Sequence, residues 1–407
     1  MLRNLRTALI SLAALAWALP SLAQESIAPR GPRVEVDRSC ALSPIPFEVD
    51  GETIVTWFHL DGIWARRGPR LDELGADVRI VDDAPTGMEV AERPGGFVLA
   101  WVGHEWPLAD LTFQRFNADL TPAAPPVVVG SAQNLSTPAL AVDVAGNVTI
   151  AWSEGEEGVK ARRYSSADLP MTPEIVVQPA SHAPGVWLAA SNAGFLVAWS
   201  DFLDLPGGNA RYSARAYSQA GAPQGPVTDL FEDMYPNFIR STFQVASVDG
   251  GYLAVRLGGL ARLLDADGTP LGPETPLGVA TDAQGIQMDS GPEGVWLGWH
   301  NLNNAVWASL VDPPTLTAAP PTLLASHNRS NHITAIRARE SGFMAGWNVH
   351  LSSVILPAPP CDWGEYAYSQ EFGPFRGAVD VPTLSKTGLA LCALAFAIAG
   401  VLMRRAL

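Results

Sequence analysis

The sequence has few charged residues, and basic residues are the scarcest of them. Asp, Glu, Lys and Arg make up 16% of the 407 residues, and 26 Lys and Arg stand against 41 Asp and Glu, which gives a formal net charge of −15. A body this acidic repels phosphate backbones, so we expect no nucleic-acid partner. With 47% hydrophobic residues, 37 Gly and 34 Pro, the composition favours short buried strands joined by tight turns.

The sequence also lacks the local motifs of common enzymes. It contains no Gly-x-Ser-x-Gly elbow, no phosphate-binding loop of the Walker type and no paired-histidine motif for zinc. We therefore expect no cofactor and no metal, and a non-catalytic protein is favoured over an enzyme. The alternative is a hydrolase of extracellular glycans that uses carboxylates scattered over loops, for which the candidates are Glu105, Glu154 and Asp201.

Residues 1–23 have the pattern of a secretory signal peptide. Arg3 and Arg6 precede an apolar run over 7–19, and small residues at 21 and 23 give a cleavage site before Gln24. The run is too short to cross a hydrocarbon core of about 30 Å. The sequence therefore predicts an exported protein.

Residues 381–407 form a three-part tail. A short polar motif precedes an apolar stretch over 388–403, and two arginines follow it. This tail resembles the IPTL-CTERM sorting domain of Gram-negative bacteria, with Val381 in place of the usual Ile and Thr387 in place of the usual Trp. The residues that carry the resemblance are Val381, Pro382, Thr383, Leu384, Ser385, Arg404 and Arg405.

The resemblance implies processing by an exosortase-like enzyme at the inner membrane. The protein would then reach the cell envelope or surface after transient anchoring through one transmembrane helix, with the arginines on the cytoplasmic side. A permanent anchor is the alternative, and the sequence leaves the choice open.

One phrase, Gly-Asn-Val-Thr-Ile-Ala-Trp at 146–152, recurs along the chain. Its copies end in Trp six times and in Arg256 once, with spacings of 44, 51, 47, 57, 43 and 48 residues. A period near 48 is typical of propeller blades and long solenoid repeats. The seven copies are 51–57, 96–101, 146–152, 194–199, 251–256, 294–299 and 342–347.

Each repeat holds signals for four short strands. In the third repeat these are 138–143, 147–153, 158–164 and 174–177, separated by turn residues. Four antiparallel strands per repeat describe a propeller blade. The third strands, such as Phe-Gln-Arg-Phe-Asn at 113–117, resemble those of bacterial exported repeats generally interpreted as propeller blades of unassigned function. The predicted fold is thus all-β, a seven-bladed β-propeller of four-stranded antiparallel blades.

The last repeat predicts how the ring closes. It shows strands at 333–337, 343–347 and 353–356 but no fourth, whereas 33–37 forms a strand signal before the first repeat. The N-terminal strand would complete the last blade and remove an open sheet edge. The predicted organisation is a signal peptide at 1–23, a linker at 24–32, the propeller at 33–360, a linker at 361–380 and the sorting tail at 381–407.

Cysteine is rare, with three residues in the chain. Cys392 lies in the apolar tail, which leaves Cys40 and Cys361 as the candidate disulfide pair of an exported body. A simple hairpin would place these two at opposite ends of a blade, while a bridge needs Cα atoms within about 7 Å. The sequence therefore leaves open whether they are bonded.

The histidines cluster after the Trp residues or between blades. Both loop classes emerge on one side of the disc, the side where propellers gather loops around the axis, so the sequence predicts a ligand-facing surface there. A preference of histidine for loops is the alternative explanation. The phrase-ending tryptophans are interpreted as core, and Trp106 as a possible exposed platform. The predicted surface comprises His59, His104, Trp106, His182, His300, His327, His332 and His350.

The sequence thus favours an exported, non-catalytic binding or adhesion module at the cell surface. Its ligand, a glycan or a protein, is not identified by the sequence.

Overall fold

The computed structural model describes most of the chain between residues 27 and 374. The described ranges are 27–37, 42–59, 61–103, 108–179, 185–202, 210–233, 242–326, 331–340, 342–351 and 364–374. Strands dominate these ranges, which belong, apart from Pro374, to one compact unit, Ser26–Gly373. Cys40, Cys361 and the whole sorting tail lie outside them, so the disulfide and the sorting motif stay predictions.

Seven separate antiparallel sheets match the seven repeats, and we number them as blades 1 to 7. In blades 1 to 4 the chain adds strands one after another. Blade 1 has β3 (Leu42–Val49), β4 (Glu52–His59), β5 (Gly62–Gly68) and β6 (Val78–Val81); blade 2 has β7 (Pro85–Arg93), β8 (Gly96–Gly103), β9 (Ala109–Asn117) and β10 (Val127–Ala132); blade 3 has β11 (Ala139–Val142), β12 (Val148–Ser153), β13 (Gly158–Tyr164) and β14 (Ile175–Pro179); blade 4 has β15 (Val186–Ala190), β16 (Gly194–Phe202), β17 (Ala210–Ser218) and β18 (Thr228–Asp233).

Blades 5 and 6 have reduced outer strands, and blade 7 uses the start of the chain. Short 3-10 helices lie between strands of blades 1 and 3, at Leu71–Glu73 and Gly155–Glu157. Blade 5 has β19 (Phe243–Val248), β20 (Gly251–Arg256), β21 (Leu260–Asp265) and β22 (Thr275–Pro276); blade 6 has β23 (Ala283–Gly291), β24 (Gly294–Asn301), β25 (Ala305–Asp312), β26 (Thr317–Ala318) and β27 (Thr322–Ser326); blade 7 has β28 (Asn331–Arg339), β29 (Gly342–Leu351), β30 (Gly364–Pro374), β1 (Ile27–Pro29) and β2 (Val34–Asp37).

The first strand of each blade lies innermost. The innermost strands β3, β7, β11, β15, β19, β23 and β28 each contact the next in turn, and β28 contacts β3, so the ring is closed. The predicted fold, an all-β propeller of seven four-stranded blades, is therefore confirmed.

The phrase-ending tryptophans build the core, as the sequence predicted. Trp57, Trp101, Trp152, Trp199, Trp299 and Trp347 lie on the second strands and are at most 4% exposed. The buried hydrophobic residues form clusters, and each cluster joins neighbouring blades. One of them contains Phe47 of blade 1 and Phe97 of blade 2, whose rings pack edge to face with centroids 5.1 Å apart. Burial of these large side chains between sheets holds the blades together.

The N-terminal strand completes blade 7, as predicted. In β2, Val34 pairs with Ser369 of β30, and Val36 is fully buried against blade 1. The short strand β1 pairs with β30 as well. The predicted linker at 24–32 therefore contains a strand of the closing blade.

The third strand of blade 7 differs from the prediction. The segment at 353–356 lies outside the described residues, and the position is taken by β30, which pairs with β29 from Phe343 opposite Phe372 to Leu351 opposite Gly364. The ten-residue second strand pairs with the eleven-residue β30, and Phe372 stacks on Phe343 at 5.1 Å. The propeller thus extends to Pro374, and the predicted end at 360 and linker at 361–380 are wrong over this stretch.

Candidate functional site

The two faces of the disc carry different parts of each repeat. The upper face bears the ends of second strands, such as His59, and the starts of first strands, such as His332. The lower face bears the turns from first to second strands, such as the one at Gly146, where φ is 77°. The repeated phrase therefore runs from the lower face and ends at the upper face.

His59 is the last residue of β4, and a neighbouring carboxylate holds its ring. Its Nδ1 lies 3.0 Å from Oδ1 of Asp61, and Trp64 donates from Nε1 to the same oxygen over 3.1 Å. Slight burial would raise the pKa of Asp61, but the bond from Trp64 and the charges of His59 and Arg79 lower it below its usual range. Asp61 therefore stays ionised and orients His59, whose Nε2 is buried without a hydrogen-bond partner in the described part of the chain.

His300 is buried within β24 and only 5% exposed. The backbone N–H of Ile333 donates to its Nδ1 over 3.3 Å, and the ring of His332 lies 4.7 Å away between centroids. Burial, and then the neighbouring His332, lowers the pKa of His300 to about 3. His300 is therefore a neutral side chain of the contact between blades 6 and 7.

The sequence placed the histidines in loops, whereas the four with described backbones lie in strands. His59, His300 and His350 are at or next to the ends of second strands, and His332 is near the start of β28. All four positions belong to the upper face, but the buried His300 does not present its ring to solvent. His104, Trp106, His182 and His327 lie outside the described residues, so the ligand-facing surface stays a prediction.

Carboxylates at the upper face are tied to the tryptophans of the repeat. Trp152 donates from Nε1 to Oε1 of Glu154 over 2.7 Å, and Trp199 donates to Oδ2 of Asp201 over 3.2 Å. In blade 2, Trp101 donates to Oδ2 of Asp83 over 3.1 Å. Two of the three carboxylates considered for hydrolysis, Glu154 and Asp201, are thus acceptors for indole groups; Glu105 lies outside the described residues.

Glu154 is also the partner of a lysine. Lys160 contacts Glu154 and lies 3.3 Å from Glu174 and 3.6 Å from Glu157. Burial would raise the pKa of Glu154, but the hydrogen bonds from Lys160 and Trp152 outweigh it and lower the pKa. An ionised, hydrogen-bonded carboxylate of this kind is a poor proton donor for glycoside hydrolysis.

A central channel runs between the seven innermost strands and encloses a cavity of about 820 Å³. Its wall is made by first strands and combines partly exposed apolar side chains, such as Ala91, Val142 and Leu188, with polar and charged ones. A cavity of this size lies within the range of ligand sites in proteins. The described charged residues that line it are Glu89, Glu92, Asp289 and Arg337.

These charges lie toward the lower half of the channel and interact across blades. Nη2 of Arg337 lies 3.1 Å from Oε1 of Glu89, although blade 1 stands between their blades. Burial raises the pKa of Asp289, while Arg337 and hydrogen bonds from two backbone N–H groups oppose the rise. Burial would lower the pKa of Arg337, but the charges of Glu89, Asp289 and Glu92 raise it.

These four residues lie in first strands, away from the loops after each Trp in which the sequence predicts function. The signal was present in the first strands, where Glu89, Glu92, Asp289 and Arg337 interrupt strands that are otherwise mainly apolar or uncharged. A charged residue in an innermost strand of a propeller has only the channel or a neighbouring blade to face.

Two further statements hold for the described ranges alone. Within them no group of three or more His, Cys, Asp or Glu is arranged to hold a metal ion. Over the same ranges, no helix combines the length and the apolar character needed to cross a bilayer.

No family model and no curated protein matches this chain. Among solved structures, BBS1N in complex with ARL6DN is 11% identical with a TM-score of 0.51, and the match covers 86% of this chain and 98% of that one. The WD40 β-propeller domain of Doa1 is 12% identical (TM-score 0.45, 85% and 95% covered), and BamB from Moraxella catarrhalis is 10% identical (TM-score 0.43, 85% and 100% covered). At these identities the likeness to BBS1N shows a shared fold and nothing about ligands.

Proposed function

We propose that this propeller is a non-catalytic binding module of the cell envelope and that its central channel is the ligand site. The channel of about 820 Å³ carries the proposal, because it is a preformed cavity whose wall combines apolar residues with four charged side chains. The upper face, with His59 and His332, surrounds one mouth of this channel and would contact the bulk of a glycan or protein ligand.

The absence of catalysis is part of the proposal. Glycoside hydrolysis needs one carboxyl that donates a proton and a second that acts as base or nucleophile. Glu154 is held ionised by Lys160 and Trp152, and Asp201 accepts the indole N–H of Trp199. These bonds support a structural role for both side chains.

A channel-blocking variant tests the binding site. Ala141 of β11 lines the channel and is half-buried, so Ala141→Trp fills the cavity from blade 3; Ala167→Trp places the same side chain on an exposed turn of that blade as a control. On a glycan array and a panel of envelope proteins, we expect binding to be lost in Ala141→Trp and retained in Ala167→Trp. Equal binding by both variants would contradict the channel as the site.

The same preparation tests for catalysis. We expect no turnover of chromogenic glycosides by the unmodified chain. Turnover that disappears in Glu105→Gln would replace the binding module with the hydrolase.

We also propose that the chain is exported and that an exosortase-like enzyme processes its tail. The first strand begins at Ile27, three residues after the expected cleavage before Gln24, and the last strand ends at Pro374, before the motif at Val381. Both cleavages would therefore spare every strand of blade 7. In a host with an exosortase-like system, mass spectrometry of the mature protein should show a start at Gln24 and loss of 388–407, and Pro382→Ala should retain the tail. A mature protein that keeps residues 1–23 would contradict export by this route.

A further inference from the structure

The charges in the channel do not balance one another. Arg337 is the single described cation on its wall, and it faces three carboxylates, Glu89, Glu92 and Asp289. The described wall residues from β3, β11, β15 and β19 add no charge. The lower half of the channel therefore carries an excess of negative charge.

Two of the carboxylates have partners in the protein. Glu89 is paired with Arg337 at 3.1 Å, and Arg337 also donates to the backbone oxygen of Val90 over 3.2 Å. Asp289 accepts hydrogen bonds from the backbone N–H groups of Ala338 at 2.8 Å and Ser290 at 3.0 Å. These contacts satisfy Arg337, Glu89 and Asp289 without a ligand.

Glu92 differs from them. Among the described residues no hydrogen bond or ion pair reaches its carboxylate, and its side chain is open to the channel rather than packed in the core. Glu92 is exposed to the channel, yet desolvation by the surrounding protein, with the charge of Asp289 adding and that of Arg337 opposing, raises its pKa to about 7. The channel environment thus disfavours the charged form of Glu92, and a cation beside it would favour that form.

The surroundings of Glu92 favour an organic cation. Partly exposed apolar side chains, such as Ala91, Val142 and Leu188, line the same channel and can pack against an alkyl chain. We propose that the channel recognises a primary ammonium group on an alkyl chain, with Glu92 as the carboxylate that pairs with it. This inference rests on the proposed function, because it names the ligand chemistry of the same channel.

Calorimetric titration of the whole purified chain with n-pentylamine tests the pairing, with n-pentanol as the neutral match. At pH 8 we expect pentylamine to bind at least about tenfold more tightly than pentanol, and Glu92→Gln to remove about that factor. Glu293→Gln changes an exposed carboxylate on the lower turn of blade 6 and should leave the affinity within about twofold. A thermal unfolding midpoint that matches the unmodified chain establishes that Glu92→Gln is folded.

The pH dependence gives a second readout. Because Glu92 must lose its proton to pair with the ammonium group, pentylamine affinity at pH 6 should be about tenfold lower than at pH 8. The Glu92→Gln chain should lack this dependence. A pH profile that is the same in both chains would overturn the assignment of Glu92.

Further titrations identify the molecule that supplies the ammonium group and separate this inference from the proposed function. Binding of Nα-acetyl-lysine methylamide as tightly as pentylamine supports a lysine side chain as the source, and weaker binding supports a free alkylamine. Absence of pentylamine binding, or binding of calcium chloride alone, overturns the inference. If array binding is still lost in Ala141→Trp, the proposed function stands without it.

Discussion

Trp152 donates its indole N–H to Glu154 over 2.7 Å, so the tryptophan that ends the repeated phrase orients a carboxylate two residues later. Trp199 and Asp201 repeat the arrangement in blade 4. The carboxylate of Glu154 also accepts a hydrogen bond from the ammonium group of Lys160. The polar end of a core tryptophan is thereby satisfied at the upper face, where a buried indole N–H without an acceptor would cost stability.

Glu154→Gln should lower the free energy of unfolding by roughly 2 kcal/mol at pH 7, the usual range for a lost hydrogen bond to a charged group. The folded pKa of Glu154 is lowered, so its stabilising effect is complete above the unfolded value of about 4.3 and is lost as pH falls through the folded pKa. Urea unfolding should therefore show a difference between the two chains at pH 7 that shrinks below about pH 4.

Glu157→Gln is the matched control for that experiment. Glu157 also faces Lys160, at 3.6 Å, but its side chain is 72% exposed. We expect a change below about 0.5 kcal/mol, as for other surface pairs. Equal losses in both variants would contradict a special role for Glu154.

His300 should make the propeller less stable in acid. Its folded pKa of about 3 lies below the unfolded value of about 6.5, so the unfolded chain binds the proton first. The contribution of the neutral His300 ring to the free energy of unfolding is fully present above about pH 6.5 and is lost progressively as pH falls toward 3. His300→Asn should flatten this part of the pH profile in thermal unfolding, and an unchanged slope would show that His300 titrates normally.

In blades 6 and 7 the residue before the phrase-ending Trp is glycine, and a neighbouring blade approaches it closely. A Cβ at Gly346 would lie 2.2 Å from the backbone oxygen of Pro44, whereas at Gly298 it would lie 2.4 Å from Cδ1 of Ile333. The backbone carbonyl of Pro44, in the contact that closes the ring between blades 7 and 1, can move away from an added methyl group less easily than the end of the Ile333 side chain can. We expect Gly346→Ala to cost about 2 kcal/mol and Gly298→Ala less than about 1 kcal/mol in urea unfolding. The reverse order would contradict a rigid contact between these blades.

The repeat could be predicted because its signals are local. Gly at the lower turn and Trp near the upper end mark each second strand, and in blade 3 the predicted strand at 158–164 has the observed bounds. The third strand of blade 7 could not be predicted in this way. It is β30, which follows a Pro-Pro-Cys segment, and its position is determined by pairing with β29 rather than by a local sequence signal. The channel charges were missed for a similar reason, since Arg337 and Glu89 are 248 residues apart and meet only when the ring closes.

The N-terminal strands β1 and β2 complete blade 7 and so close the ring. Val36 of β2 is fully buried against Val55, Trp57 and Leu71 of blade 1, and Val34 pairs with Ser369 of β30. Removal of residues 1–37 would leave the outer edge of β30 unpaired and expose this cluster, which favours aggregation.

We expect the chain that lacks residues 1–37 to unfold at a midpoint several degrees lower and to elute partly as aggregates in size-exclusion chromatography. A chain that lacks only residues 1–25 keeps β1 and β2 and should match the processed protein in both measurements. Because β1 and β2 both pair with β30, a monodisperse, equally stable chain without residues 1–37 would mean that blade 7 is held by β28, β29 and β30 alone. The N-terminal strand would then be dispensable for closing the ring.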